Sequence, residues 1–322
     1  MKLAIEQLPI YTGHKAAIYA MANKQDGHSF YSADGNGWLV EWSVRQPNKG
    51  KVIAQIPSNI FSLFYIPQAS LLVAGTMAGI VYMYHADKSK LAWPPIQLGG
   101  AVFDTYYFAP TNHLFFTCGD GSLWKMDIET GQTVGNVKLS TENLRCCIGL
   151  PNPDNNKTMP CLAVGASNGC IYIVNAQNLE IVQTVTAAHN SSVFCLAFAQ
   201  KANQLWTGGR DAQINIWDCL PSAPNLFLPN KANQQIPAHL YTVNALYINE
   251  AQNWVVSASR DKSLKWWHLP SKQLLQVIDP FKPNYKGHLK SVNALCFFPE
   301  ENILLSAGDD RQILSWKISV GF

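Results

Sequence analysis

The sequence predicts an all-β chain built from a repeated sheet, and three observations carry that expectation. Three segments superpose without a gap: His189 to Trp217, His239 to Trp267 and His288 to Trp316. In each, an Asp follows the His by 22 positions and a Trp follows the Asp by 6. The apolar runs within them are short, rich in Val, Ile, Leu, Tyr and Trp, and bounded by Gly, Asn, Asp and Pro, the pattern of antiparallel strands joined by tight turns. No long stretch carries the periodicity of an amphipathic helix.

A fourth copy opens the chain at Gly13-His14, with Asn36 in the Asp position and Trp42 in the Trp position. Between Trp42 and His189 the strand pattern persists in LLVAGTMAGIVYMY, LFFTCGDGSLWKMD and CLAVGASNGCIYIV, where Tyr84, Met126 and Val174 take the Trp position. The anchors at 42, 84, 126, 174, 217, 267 and 316 are thus spaced by 42, 42, 48, 43, 50 and 49 residues. Self-similarity at about 40–45 residues is the period of a propeller blade. A single sheet of this kind has two apolar faces and open edges. Stacking such sheets radially buries the faces and leaves only short edges. The expected architecture is a seven-bladed β-propeller with four-stranded antiparallel blades, one domain over residues 1–322. After Trp316 only KISVGF remains, enough to finish a third strand and no more. Residues 1–9 precede the first Gly-His as a fourth strand would, and are expected to complete blade 7 and close the ring.

These residues resemble the WD40 family along essentially the whole chain, with Gly-His at 13–14 and 287–288 and the Trp-Asp pair at 217–218. The resemblance implies a structural tetrad of His, hydroxyl, acid and Trp. It maps onto His14, Ser32, Asn36 and Trp42; His189, Thr207, Asp211 and Trp217; His239, Ser257, Asp261 and Trp267; and His288, Ser306, Asp310 and Trp316. Blades 2 to 4 lack the His and lose hydroxyl and Trp together, having Ala74, Phe116 and Val164 in the hydroxyl position. A buried network is favourable only when its members are satisfied, so joint replacement by apolar packing is the expected outcome. Asp120 and Asn168 survive at turns that suit a short polar side chain.

Composition narrows the function. The chain has 24 basic and 21 acidic residues, a formal charge of +3, and no dense Lys/Arg run. That argues against a strong nucleic-acid binder. The N-terminal MKLAIEQLPIY is interrupted by Glu6 and does not read as a signal peptide, and no apolar stretch has membrane-spanning length. The 8 cysteines show no CxxC pairing. They are expected as thiols in a reducing, cytoplasmic setting, where the triplets at Asn156 and Asn190 carry no glycosylation meaning. No P-loop, GxGxxG, HExxH or nucleophile elbow occurs. His28, His85, His113 and His268 lie outside the repeat without ligand spacing. Ser, His and Asp recur in the repeat, but as four copies with a Trp each they read as staples inside sheets and not as catalytic triads. No catalytic residue, metal or cofactor is expected.

The WD40 resemblance also implies where function lies. In that family the residue after the apolar position opening the first strand looks into the central mouth from the top rim. By repeat alignment these are Tyr19, Phe61, Phe103, Arg145, Phe194, Asn244 and Asn293. The turn residues just before the acid position include Arg210 and Arg260. Four aromatics and an Arg make a composition typical of binding hot spots. The alternative is that the aromatics plug the channel, with their rings buried between neighbouring blades; the binding surface is the favoured reading. Before His239 an insertion lengthens a bottom loop, and before His288 another lengthens a top loop. The leading expectation is a non-catalytic, monomeric scaffold that binds a peptide or loop of another protein at this mouth. The alternatives are a propeller enzyme with an axial site, which would need converging acids or His, and a weak nucleic-acid binder.

Overall fold

The computed structural model describes residues 2–150, 160–219, 227–282 and 284–321. The triplet at Asn156 and residues 220–226 of the insertion before His239 lie outside them. Among the described residues there are seven antiparallel sheets, each following its neighbour along the chain. Blade 1 runs Ile18–Asn23, Ser29–Asp34, Trp38–Ser43 and Gln46–Gln55. Blade 7 combines Val292–Phe298, Ile303–Gly308 and Ile313–Gly321 with the N-terminal strand Lys2–Gln7. The last two pair antiparallel from Lys2↔Gly321 to Gln7↔Trp316, so the N-terminal strand completes this sheet as expected.

The middle strands follow from their composition. Ser29–Asp34, Leu71–Thr76, Cys161–Ala166, Trp254–Ser259 and Ile303–Gly308 are buried at every position. A sheet covered on both faces has no solvent side, so these runs read as continuous apolar stretches with small residues, without alternation. Outer strands such as Thr133–Lys138 alternate instead, because one face meets water. One blade departs from four strands. In blade 2 the fourth strand is split into Lys90–Leu91, paired with Tyr84 and His85, and Ile96–Gln97, paired with Val81 and Ile80. Pro94 and Pro95 lie between the pieces and have no N–H to give the ladder.

The chain divides into two compact units, Met1–Met77 with Tyr82–Pro95 and Asn244–Phe322, and Ala78–Val81 with Ile96–Val243. In the first, apolar clusters join blade 1 to blade 2, blade 6 to blade 7 and blade 7 to blade 1. In the second, clusters join blade 3 to blade 4 and blade 4 to blade 5. Trp217, Trp254, Trp266 and Trp316 are among the fully buried side chains. Phe227, in the insertion before His239, is half-buried against the cluster between blades 4 and 5, where its N–H donates to Gln183 Oε1 at 2.8 Å. All eight cysteines are free.

The tetrads of blades 5 and 7 take shape as hydrogen-bonded sets. His189 Nε2 lies 2.8 Å from Thr207 Oγ1 and its Nδ1 2.9 Å from Asp211. Trp217 Nε1 donates to the same Thr207 hydroxyl at 3.2 Å. In blade 7 the distances are 2.9 Å from His288 to Ser306, 2.9 Å to Asp310 and 2.9 Å from Trp316 to Ser306. In blade 6 Trp267 Nε1 donates to Ser257 Oγ at 2.9 Å, and Asp261 accepts from the Ser263 backbone and hydroxyl.

Blade 1 corrects one expectation: the acid that meets His14 is Asp34, at 2.9 Å, and not Asn36. Ser32 still bridges His14 and Trp42, at 2.6 and 2.8 Å. Asn36 is exposed and gives only its backbone N–H to Asp34 Oδ1, at 2.9 Å. The reason is visible in blade 5. Asp34 aligns with Gly209, where an added Cβ would clash with His189 Nδ1 and Asp211 Oδ1. One pocket beside the His accepts one carboxylate. Blade 5 fills it from the turn and keeps Gly beneath; blade 1 fills it from the strand and frees the turn position.

Candidate functional site

The strand-entry positions share a backbone feature. In six of the blades the register of the first strand shifts at this position, at Tyr19, Phe61, Phe103, Arg145, Phe194 and Asn293. A bulge leaves the extra residue unpaired and re-aims its side chain, so a position recognised by repeat alignment coincides with a local break in the ladder. That coincidence also fixes the alignment in blades 2 to 4, where no His does so.

In the second unit Phe103, Arg145 and Phe194 form one group. The Arg145 guanidinium carbon lies 4.3 Å from the Phe103 ring centroid and 5.1 Å from that of Phe194. Arg145 Nε donates to Ser167 Oγ at 2.9 Å. The Asn143 amide, oriented to satisfy both its ends, accepts from Arg145 Nη2 at 3.0 Å and donates to Gly119 O. Gly119 leaves room for Phe103, whose ring a Cβ there would meet at 3.3 Å. Burial lowers the Arg145 pKa from its ordinary value, and the charge of Arg210 lowers it further. Arg210 is exposed, with its N–H on Ser192 O. Among the described residues neither arginine has an ion pair.

In the first unit Tyr19 and Phe61 meet edge to face, with centroids 5.1 Å apart. Gly35 lies under Tyr19, 3.3 Å from where its Cβ would stand. The Tyr19 pKa is raised by burial and by the Asp309 charge. Arg260 is exposed. Asn244 and Asn293 differ from the aromatics. Asn244 Nδ2 donates to Ser291 Oγ and Val292 O, at 3.0 and 2.8 Å. Asn293 Nδ2 donates to Ile18 O and Asp309 Oδ1, at 3.0 and 2.7 Å. These amides tie blade 6 to blade 7 and blade 7 to blade 1, and their donors are committed to that task.

Sequence reasoning placed Ser167 at the turn before the acid position, as it did Arg210 and Arg260, but missed that Ser167 and Asn143 position Arg145. It also missed Asp104, one residue past the Phe103 bulge. Asp104 Oδ2 accepts from Cys147 N at 2.9 Å and its Oδ1 from Thr105 N at 2.8 Å, so it bridges blades 3 and 4. The equivalent positions in blades 4 and 5 are Cys146 and Cys195, whose thiols donate to Val193 O and Val243 O of the next blade. Asp104 keeps some accessible surface, but dense protein around its carboxyl pushes the pKa up to about 7, against the lowering effect of the two N–H donors. Its unfolded value is near 3.8. The folded state therefore binds the proton more tightly, and this group's contribution to stability falls as pH rises from about 4 to about 7. Relative to Asp104→Asn, the wild type should lose about 1–3 kcal/mol between roughly pH 5 and pH 8. Denaturant melts of both proteins across that range check this; parallel curves would show that the carboxyl is not perturbed.

Among the described residues no group of three or more His, Cys, Asp and Glu could hold a metal ion. No helix there is long and apolar enough to cross a membrane.

Known proteins bear on the fold and the family. A solved WD40 β-propeller domain of Doa1 superposes with a TM-score of 0.80 over 97% of this chain and 96% of that one, at 15% identity. Transducin-like enhancer protein 2 of Mus musculus is 21% identical over 84% of this chain and 40% of its own length. Actin-interacting protein 1 of Caenorhabditis elegans is 20% identical over 80% of this chain and 47% of its own. Mitochondrial division protein 1 of Vanderwaltozyma polyspora is 23% identical over 49% of this chain and 22% of its own. The chain thus spans less than half the length of each of these three relatives. The family profile described as the nucleolar protein 10-like N-terminal β-propeller domain matches residues 96–319. With that match over more than half its length, and with seven antiparallel blades, the chain belongs to the nucleolar protein 10-like N-terminal domain family, as a seven-bladed WD40 propeller.

Proposed function

We propose that this chain is a non-catalytic scaffold, a monomeric single domain of the cytoplasm, that holds a peptide or loop of a partner protein on its strand-entry residues. WD40 propellers typically serve as interaction scaffolds, which supports the general class. The observation that carries the residue assignment is Arg145, half-buried between Phe103 and Phe194 and without a counter-charge among the described residues. Residues that serve only to plug a channel would be expected to pack as apolar side chains; a cation held at some desolvation cost favours a contact. Arg210 adds exposed basic surface in the same unit as Arg145, and Tyr19, Phe61 and Arg260 are the accessible strand-entry and turn residues of the other unit. Asn244 and Asn293 act as supports for it, because their amides are already engaged.

Capture of partners from a lysate tests this, with circular dichroism confirming that each variant is folded. Phe194→Ala should weaken capture by about 2 kcal/mol or more, as expected for a central aromatic anchor. Arg210→Ala combined with Arg260→Ala should weaken it also. Val134→Ala, on an outer strand where that side chain is 53% exposed, should leave capture unchanged. Loss in the Val134 variant with retention in the other two would place the contact on the wrong surface.

A further inference from the structure

Arg145 is a cation prepared for an anion that the chain does not supply. Its two aromatic neighbours lie 4.3 and 5.1 Å from the guanidinium carbon, and ring faces orient a guanidinium without neutralising it. Ser167 holds Nε and Asn143 holds Nη2, both neutral acceptors. The remaining N–H donors, those of Nη1 included, have no partner among the described residues. Arg210 stands near enough for its charge to be felt, so the local field is doubly positive. A half-buried guanidinium held by two neutral acceptors, with a free donor edge, matches the planar geometry of a carboxylate. Preorganisation of this kind removes part of the ordering cost of binding.

We propose that Arg145 is the recognition point for an Asp or Glu side chain on an acidic peptide segment of the partner, with Arg210 as a second, exposed contact. This rests on the strand-entry reading above and adds the chemical class of the ligand. The carboxylate would sit against the free edge of the guanidinium, flanked by the Phe103 and Phe194 rings, which exclude water from the ion pair and would take the apolar part of the peptide. Charge complementarity with Arg210 would speed encounter and make binding salt-sensitive.

The test is a selection of random displayed peptides on the full chain, followed by fluorescence anisotropy of the enriched sequences on wild type, Arg145→Met, Arg145→Lys and Phe194→Ala. The enriched peptides are expected to share an Asp or Glu at a fixed position. Changing that residue to its amide should weaken binding to wild type about tenfold or more, and should cost nothing further on Arg145→Met. Arg145→Lys, which keeps the charge but not the planar fork, should bind more weakly than wild type. Peptides that require Phe194 yet carry no fixed acid, or whose amide versions lose equally on Arg145→Met, overturn the carboxylate assignment while leaving the site in place. Peptides that bind Phe194→Ala as tightly as wild type overturn the site itself. A selection that yields no acidic binder also counts against the proposal.

Discussion

Deleting residues 1–9 should abolish stable folding and drive the protein into aggregates. The strand Lys2–Gln7 pairs with Ile313–Gly321 over its whole length, from Lys2↔Gly321 to Gln7↔Trp316. The ladder continues into the chain that follows, where Leu8 N donates to Ser315 O at 2.9 Å and Ser315 Oγ donates to Pro9 O at 2.6 Å. Leu3 and Ile5 pack on the cluster that holds Trp316 and Ile318. Tyr285 reaches across to donate to Ile5 O, and Gln7 exchanges two hydrogen bonds with the Lys286 backbone. Removal would expose a nine-residue edge strand and part of that apolar cluster. Because net stability of a domain is only about 5–15 kcal/mol, loss of a whole strand is of the same order. Thermal melts and size-exclusion chromatography measure the outcome. Because Lys2 lies beside Gly321, the same segment attached after Gly321 through a short turn should restore both the melt and the monodisperse peak. A truncated protein that melts at the wild-type temperature would show that this strand does not hold blade 7.

Asp310→Ala should cost about 2–4 kcal/mol in denaturant melts, because it strips an acceptor from a buried set and leaves the donors behind. The Asp310 carboxylate, 7% exposed, takes His288 Nδ1 at 2.9 Å, Leu289 N at 3.0 Å and Gln312 N at 3.3 Å. It therefore joins the loop entering the blade to the turn between its second and third strands. Burial by itself would raise this carboxyl; the hydrogen bond and charge of His288, with the two backbone N–H groups, outweigh it and hold the pKa below the usual value. Asp34 and Asp211 are held low by the same balance. A depressed folded pKa contributes stability above the unfolded value, lost as pH falls below about 4. Acid sensitivity in that window should shrink in Asp310→Ala. Asp120→Ala should cost distinctly less. Asp120 is 34% exposed and serves a smaller set of its own, with Ser122 Oγ donating to it at 2.6 Å and Trp124 Nε1 donating to Ser122 at 2.8 Å. Blade 3 thus replaces the His-centred network by a local one built within a few residues of the turn, a substitution that the loss of the His did not reveal. Equal costs at the two positions would show that the His contributes nothing special.

Most of the architecture was legible because it is periodic. The His-to-Asp and Asp-to-Trp spacings reflect strand and turn lengths, which short-range geometry sets, and the same periodicity marked the bulged positions from Tyr19 to Asn293. Closure by the N-terminal segment followed from counting strands after Trp316. The split outer strand of blade 2 was also within reach, since Pro94 and Pro95 announce it. Side-chain partnerships were less legible, because they depend on which atoms arrive at a shared point from different parts of the chain. Asn36 stands at the aligned distance from His14, yet Asp34 fills the pocket, since either position can reach it and only one carboxylate fits.

The strand-entry set shows the same division. By itself the sequence determined the repeat, the strand order and the seven equivalent positions, because spacing along the chain dictates where each strand begins and breaks. Only the tertiary structure decided that Asn244 and Asn293 spend their amides on neighbouring blades, that Arg145 lies between two rings on Ser167, and that Asp104 bridges to Cys147 N. These roles depend on distances of about 3–5 Å between residues tens of positions apart, and on how burial changes the cost of a charge there. Neither is encoded in a repeat read one blade at a time.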